Sequence, residues 1–337
     1  MNHFNIVTIG GAVRDITFYT KEGRIFSTPE NLTAQKMLAF EWGGKINIKE
    51  AYFNSGGGAA NTAVCLARLN LKTAIIAAVG KDEMGKEVLA NLKKEKVDTG
   101  LIQLDQRNQT GFSVILTTEK KEKEHIVFSY RGAANFLDFD QRNNNKLNSD
   151  WFYITSLAGL GWQRNLKSIF KLAKQKKIKI VWNPGSRQLR EGKRVLNDFL
   201  KQTDILILNK DEAIELVLSG VKLGKKNPNY LNRPLYLLNI LQEWGPKIIV
   251  ITEGNKGAWA YNGQKIYRQK ALKPKVIDTT GVGDAFGASF LAGLISENNN
   301  IQKALRWGII NSASVITKIG AHNGLLNLKE LKKRLQK

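Results

Sequence analysis

The chain has 337 residues, and its 52 Lys and Arg against 29 Asp and Glu leave a formal net charge of +23. With 42% hydrophobic residues and 6 prolines it is neither a disordered chain nor a collagen-like or proline-rich one, and this length predicts a large core. Cys65 is the only cysteine, which excludes an internal disulfide and a zinc site built on several thiolates.

FNIVTIGGA (4–12) predicts a buried strand that stops at two glycines. Residues 13–53 interleave aromatic and polar side chains without a helical period. SGGGAANTAVCLARLN (55–70) opens on glycines and continues as a helix, with Ala60, Ala63, Val64 and Ala67 on one face, so that small side chains pack it closely on a sheet. TAIIAAVG (73–80) fits a central parallel strand, and Met84, Val88 and Leu92 at spacing four mark the next helix. Residues 111–117 and 125–130 read as antiparallel strands around a polar link, with Ile126, Phe128 and Tyr130 sharing a face. From residue 150 strands and helices alternate. WFYITS (151–156) precedes a basic helix to about residue 177, IKIVW (178–182) stops at Asn183, DILIL (204–208) at Asn209, and KIIVIT (247–252) at Glu253-Gly254. Two helices dominate the C-terminal part, the second with an apolar stripe from Ile301 through Leu305 and Ile309 to Ile316. The alternation predicts an α/β fold with a mainly parallel sheet. Ligands of such sheets bind beyond the carboxyl ends of the strands, which draws attention to Asp15, Asn183, Asn209, Glu212, Thr252 and the segment after Ile277.

No apolar run approaches the roughly 18 residues of a membrane span, and MNHFNIVTIGGAVRD lacks the basic and then apolar layout of a secretion signal, so a cytoplasmic protein without a membrane partner is expected. The positive charge lies along the whole chain in short clusters such as KELKKRLQK (329–337), with no zinc-finger spacing and no RNA-binding aromatic motif. It reads as a Lys-rich solvated surface, not a specific nucleic-acid site, and its field suits small anionic ligands.

The most informative stretch is DTTGVGDAFGASFLAGL (278–294), in which an Asp and two threonines lead into Gly281-Val282-Gly283-Asp284 and a helix. Glycines let successive backbone N–H groups point the same way, and the helix N-terminus adds partial positive charge, a combination suited to a phosphoryl group. On this chemistry Asp284 reads equally as a helix cap and as a base that takes the proton of a hydroxyl attacking phosphorus. Rival motifs fail. Residues 80–86 carry the glycines and lysine of a phosphate loop, but Glu87 stands where Ser or Thr must hold magnesium. Asn61 and Phe286 occupy the third glycine of the two dinucleotide-type candidates, and His3, His125 and His322 have no GxSxG partner.

DTTGVGDAFGASFLAGL resembles the second signature of the ribokinase-like, PfkB-type carbohydrate kinases, and SGGGAANTAVCLARLN resembles the first. VGKDEMG (79–85), NKDE (209–212) and TEGNKG (252–257) are similar to further family segments in the family's order, so the likeness spans about residues 4–325. The resemblance implies one kinase domain over residues 1–337, a three-layer α/β/α structure with a small β-sheet lid from about 13–53 and 111–130. It implies transfer of the γ-phosphate of ATP, with Mg²⁺, to a hydroxyl of a carbohydrate or related small molecule. A nucleoside kinase of the same fold is the neighbouring reading, and a non-catalytic basic binding protein is the reading from another class.

Carried onto matching positions, the resemblance makes Asp284 the base and the amides of Gly281, Val282 and Gly283 the anion hole. Asn209 and Glu212 would organise Mg²⁺ and phosphate oxygens, partly through water, and Thr252 and Gly254 would form the nucleotide-binding turn. Asn311 resembles an adenine-side contact, and Asp278 and Thr280 resemble a site for a monovalent cation, usually K⁺. Asp15, Gly56, Gly57 and Asn61 are implied substrate contacts, and Arg131 lies in a substrate-side segment where it would suit a carboxylate or phosphate. Family lids often pair between subunits, so a homodimer through the lid is an expectation. Residues 19–53, with Phe40, Trp42 and Lys45, depart from the ribokinase pattern and leave the acceptor sugar open.

Overall fold

Eight strands form the main sheet in the order Ile266–Gln269, Ala258–Tyr261, Ile248–Thr252, Ile205–Asn209, Lys179–Trp182, Asn148–Ile154, His3–Ile9 and Thr73–Ile76. All neighbours from Ile248–Thr252 onward in this order are parallel, and the first two strands close the other edge as an antiparallel hairpin. The computed structural model describes residues 3–27, 36–118, 125–140, 147–222 and 228–336. Strand side chains alternate between two cores, as the pleat requires. Ile6, Val181, Ile207 and Val250 pack with the helices Gly58–Arg68, Val282–Ser296 and Ile301–Val315. Val7, Trp182, Leu208 and Ile251 pack with Trp162–Lys176, Ser186–Leu200, Lys210–Leu218 and Pro234–Glu243 on the other face. The three-layer expectation is met. Among the described residues no helix is long and apolar enough to cross a membrane.

A second sheet of four strands, His125–Tyr130, Phe112–Thr118, Val13–Thr20 and Glu50–Gly56, is built from the segments expected to form a lid. The hairpin Arg24–Ser27 with Lys36–Ala39 is a separate two-stranded sheet, while residues 28–35 and 119–124 of the expected lid lie outside the described residues. Cross-strand register puts Phe53, Ile16, Val114 and Phe128 on one face, and Asn54, Asp15, Ser113 and Ser129 on the other. Ile126, Phe128 and Tyr130 do share a face, but it is the outer one, where Phe53 and Phe128 are 60% and 59% exposed.

Two sequence expectations need correction, and one hairpin was not foreseen. TAIIAAVG is not one central strand. Thr73–Ile76 is the edge of the main sheet, and Ala78–Gly80 leaves it to pair with Gln103–Asp105. The run reads as central because the whole segment is buried whatever its place in the sheet. The hairpin Ala258–Tyr261 with Ile266–Gln269 was not legible, since each strand is four residues long and only half-buried. The stripe on Ile301–Val315 is too narrow, because Trp307, Ile310, Asn311 and Val315 are buried as well and the helix is enclosed on most of its circumference.

Candidate active site

A cavity of about 320 Å³ opens between the carboxyl ends of the main sheet and the inner face of the small sheet. Gly10 and Gly11, where the first strand stops, form part of its floor, and Gly57, Gly58 and Asn61 enter at the start of the helix Gly58–Arg68. The small sheet contributes Asp15, Ser113, Ile115 and Val127, and the start of the helix Val282–Ser296 contributes Thr280, Gly281 and Asp284. Arg131 lines the cavity as well. Residues far apart in sequence thus meet because the sheet's carboxyl edge and the small sheet face each other.

Asp284 sits half-buried in the first helical turn. Its Oδ2 accepts a hydrogen bond of 2.8 Å from Asn61 Nδ2. Burial, with the negative charges of Asp15 and Glu212 nearby, lifts its pKa to about 6 against the pull of the Asn61 bond. Asp15 is 7% exposed, and burial likewise lifts it to about 6, opposed by a bond from the Ser113 hydroxyl. Gly56 is absent from the cavity lining. It stands behind Asp15, where a methyl group would overlap the carboxylate, so its part is to make room for Asp15 and not to touch a ligand. Gly57 lines the cavity at φ 94°.

Gly281 caps the helix in the left-handed region, φ 72°, and a side chain there would overlap Ala321. Only glycine meets both demands. A Cβ on Gly283 would touch nothing within 4 Å, so the first turn of the helix faces open space. Its leading N–H groups have no intrahelical acceptor. The Val282 amide reaches the Thr279 carbonyl at 3.4 Å, a long bond that an anion would compete with.

Asn209 and Thr252 face each other at the ends of adjacent strands. Asn209 Oδ1 accepts from the Glu212 N–H at 2.9 Å and Glu212 Oε2 accepts from the Asn209 N–H at 2.8 Å, a reciprocal helix cap. The NKDE pattern therefore has a structural job as well as any ligand role. Burial raises the Glu212 pKa, and the charge of Glu212 adds to the rise at Asp284. Gly254 has φ 54° and open space above it. Asp278 Oδ1 accepts from the Thr280 N–H and hydroxyl at 2.9 and 2.8 Å, and its Oδ2 accepts from the Gly320 N–H at 2.8 Å.

Asn311 is a correction. It is 0% exposed and its amide donates to Ser289 Oγ at 2.7 Å, while its carbonyl accepts from the Leu326 N–H at 2.9 Å. Its position on the late helix turns it inward, and its bonds hold the core together instead of meeting a purine. Asn61 also differs from expectation, since both ends of its amide are engaged by protein: Nδ2 by Asp284, and Oδ1 by His322 Nε2 at 2.9 Å. His322 has no motif beside it, and nothing local in the sequence marks it. Ser113 was signalled only by alternation along its strand.

The sheet order, the second small sheet and the cavity between them define the class of ribokinase-fold enzymes. The structure superposes on ribokinase of Arabidopsis thaliana complexed with ribose and ATP at a TM-score of 0.77 over 100% of both chains with 19% identity. It matches a nucleoside kinase of Burkholderia thailandensis in complex with inosine at a TM-score of 0.77, with 16% identity over 98% of this chain and 97% of the other. In sequence it is 30% identical to a ribokinase of Lactococcus lactis over 292 residues, 83% of this chain and 85% of the relative. The pfkB family carbohydrate kinase profile matches residues 6–327, and the chain belongs to that family. It is an ATP-dependent kinase of the PfkB sugar-kinase family.

Proposed function

We propose that the chain phosphorylates a hydroxyl of a single-ring sugar, with Asp284 as the general base. The observation that carries the reading is the place of the Asp284 carboxylate, in the first turn of a helix whose N-terminus opens on the same cavity as Asp15. In-line transfer needs a base at the attacking oxygen and donors for the charge on phosphorus. Asp284 takes the hydroxyl proton, and the amides of Gly281, Val282 and Gly283 hold the phosphoryl oxygens. Asp15 accepts bonds from substrate hydroxyls, and Arg131 adds a cation for an acidic substituent or phosphate. Thr252 and Gly254 receive the nucleotide, the open space over Gly254 leaving the backbone accessible.

Among the described residues no group of three or more His, Cys, Asp or Glu forms a metal cage. Glu212 and Asn209 nevertheless fit Mg²⁺, which keeps much of its water and needs only one or two carboxylates beside substrate phosphates. The ion would neutralise phosphate charge there. Asp278 and Thr280 offer a carboxylate and a hydroxyl, oxygen donors that suit K⁺, although both already bond within the protein. We take the whole chain as one kinase domain whose four-stranded sheet is the lid that excludes water from the reacting groups.

Among the described residues no Phe, Tyr, Trp or His lines the cavity, whose volume of about 320 Å³ is at the small end for ligand sites. A nucleobase would find no ring to stack on among these described residues, which supports a sugar over a nucleoside. A coupled ATPase assay with ribose, fructose, 2-keto-3-deoxygluconate and adenosine tests this. Highest kcat/KM for adenosine would overturn it.

The activity is expected to fall on the acid side with an apparent pKa near 6, because Asp284 and Asp15 both ionise at about 6 and both act as carboxylates. If both must be ionised, the acid limb of kcat/KM is steeper than a single titration. A flat profile between pH 5 and 7 would count against both roles, and the profile is read from initial rates at saturating ATP.

The outer face of the lid supports a homodimer. Phe53, Phe128 and Tyr130 are 60%, 59% and 45% exposed on one sheet face, an apolar surface of the kind that marks an interface. Phe128→Asp is expected to convert a dimer to a monomer in light scattering on a size-exclusion column. A monomeric parent chain removes the proposal.

A further inference from the structure

We propose that His322 is a positioning residue whose Nε2–H fixes the side-chain amide of Asn61 in the one orientation that donates to Asp284. The inference rests on the reading of Asp284 as the base. An asparagine amide offers a donor and an acceptor of nearly the same shape, and either could be turned toward the carboxylate. In the structure Asn61 Nδ2 lies 2.8 Å from Asp284 Oδ2, and Asn61 Oδ1 lies 2.9 Å from His322 Nε2. An ionised carboxylate only accepts, so the amide nitrogen faces it. The amide oxygen then faces the ring, and a ring nitrogen opposite a carbonyl oxygen must carry hydrogen. Turned the other way, the amide would set oxygen against carboxylate and N–H against N–H.

His322 is 8% exposed, and burial together with the charge of Arg68 holds its pKa down at about 4, with Glu95 opposing. The ring is neutral at working pH. Its proton on Nε2 is therefore a matter of tautomer and not of charge.

The ring is held from the same helix that carries Asn61. Arg68 follows Asn61 by seven residues, two turns along one helical face. Arg68 Nη1 donates to the carbonyls of His322 and Leu325 at 2.8 and 3.0 Å. Its Nε and Nη2 grip the Glu95 carboxylate at 2.8 and 2.7 Å. The far end of the helix thus clamps the loop of His322, and that loop returns to orient the residue at the near end. The bond so fixed is the one that opposes the upward push of burial on Asp284.

Removing the donor frees the amide to turn. His322→Leu is expected to lower kcat about 10-fold and to move the acid limb of kcat/KM upward by about one pH unit, the size of losing a hydrogen bond to a charged group. KM for ATP stays unchanged. His322→Gln, whose amide N–H reaches the same place, restores both. A purely structural role would predict that Gln is as impaired as Leu, and that result overturns the proposal, as does a folded Leu variant with the parent acid limb. Nitrogen-15 spectroscopy of the parent chain decides the matter even if the Leu variant does not fold. Only 3 histidines are present, and the signal of His322 should be the neutral Nε2–H tautomer throughout pH 5–8. A Nδ1–H tautomer refutes the proposal. Failure of the base reading shows separately, as turnover retained by Asp284→Asn.

Discussion

Asp284→Asn is expected to bind ATP as the parent chain does and to lose turnover by at least about 10²-fold, the usual scale for a general base. The substitution keeps the shape of the side chain, and its amide oxygen can still accept the bond from Asn61 Nδ2. What disappears is the ability to take a proton. The same variant is expected to melt higher. Asp284 ionises at about 6 in the folded chain, above its ordinary 3.8, so the folded state holds the proton more tightly than the unfolded one. Protonation therefore stabilises the fold, and this contribution is lost as pH rises through about 4 to 6. At neutral pH the parent chain carries a half-buried charge that Asn lacks, which is worth about 1–3 kcal/mol in favour of the variant. Calorimetry at pH 7.5 and pH 4 should give a gap at the higher pH that narrows at the lower. Parent-like turnover, or a lower melting point at pH 7.5, would each contradict the role given to this carboxylate.

Asp15→Asn is expected to raise KM for the sugar by about 10²-fold with far less change in kcat, because each hydrogen bond to a charged group contributes about 1.5–3 kcal/mol. The carboxylate is buried on the inner face of the small sheet and accepts from Ser113, with no side chain behind it at Gly56. Asn fits the same space but presents N–H where a substrate hydroxyl needs an acceptor. Initial rates over a range of sugar concentrations separate the two parameters. A fall in kcat at constant KM would assign Asp15 to the chemical step instead of to binding. The acid limb should also become shallower, since one of two titrating carboxylates is gone.

Much of the fold could be read from the chain before any coordinates. The strands at 4–12, 151–156, 178–182, 204–208 and 247–252 were legible because each is an apolar run bounded by polar or glycine residues. The glycine turn at Gly281-Val282-Gly283 that opens a helix was legible for a different reason, since glycine spacing and helix start are local and carry their own geometry. Where reading failed, the missing information was neither periodicity nor composition. Asn311 stands on a helix enclosed on most sides, so its sequence position could not say that its amide would be spent on Ser289 and Leu326. TAIIAAVG is uniformly buried, and uniform burial erases the difference between a sheet's edge and its centre. Gly56 was recognised as a glycine of the site, but that it yields space to Asp15 depends on the pairing of two strands.

Local physics thus settled the alternation of strands and helices and the glycine turn before Asp284, since each element is encoded within a dozen neighbouring residues, and the alternation in turn implied a mainly parallel sheet. The working electrostatics came only with the folded chain. Asn61 meets Asp284 across 223 residues, and His322 meets Asn61 across 261. The pKa values near 6 arise from burial by segments with no sequence relation to the groups they bury. Which tautomer a ring adopts, and which way an amide points, follow from contacts that exist only after those distant segments have packed.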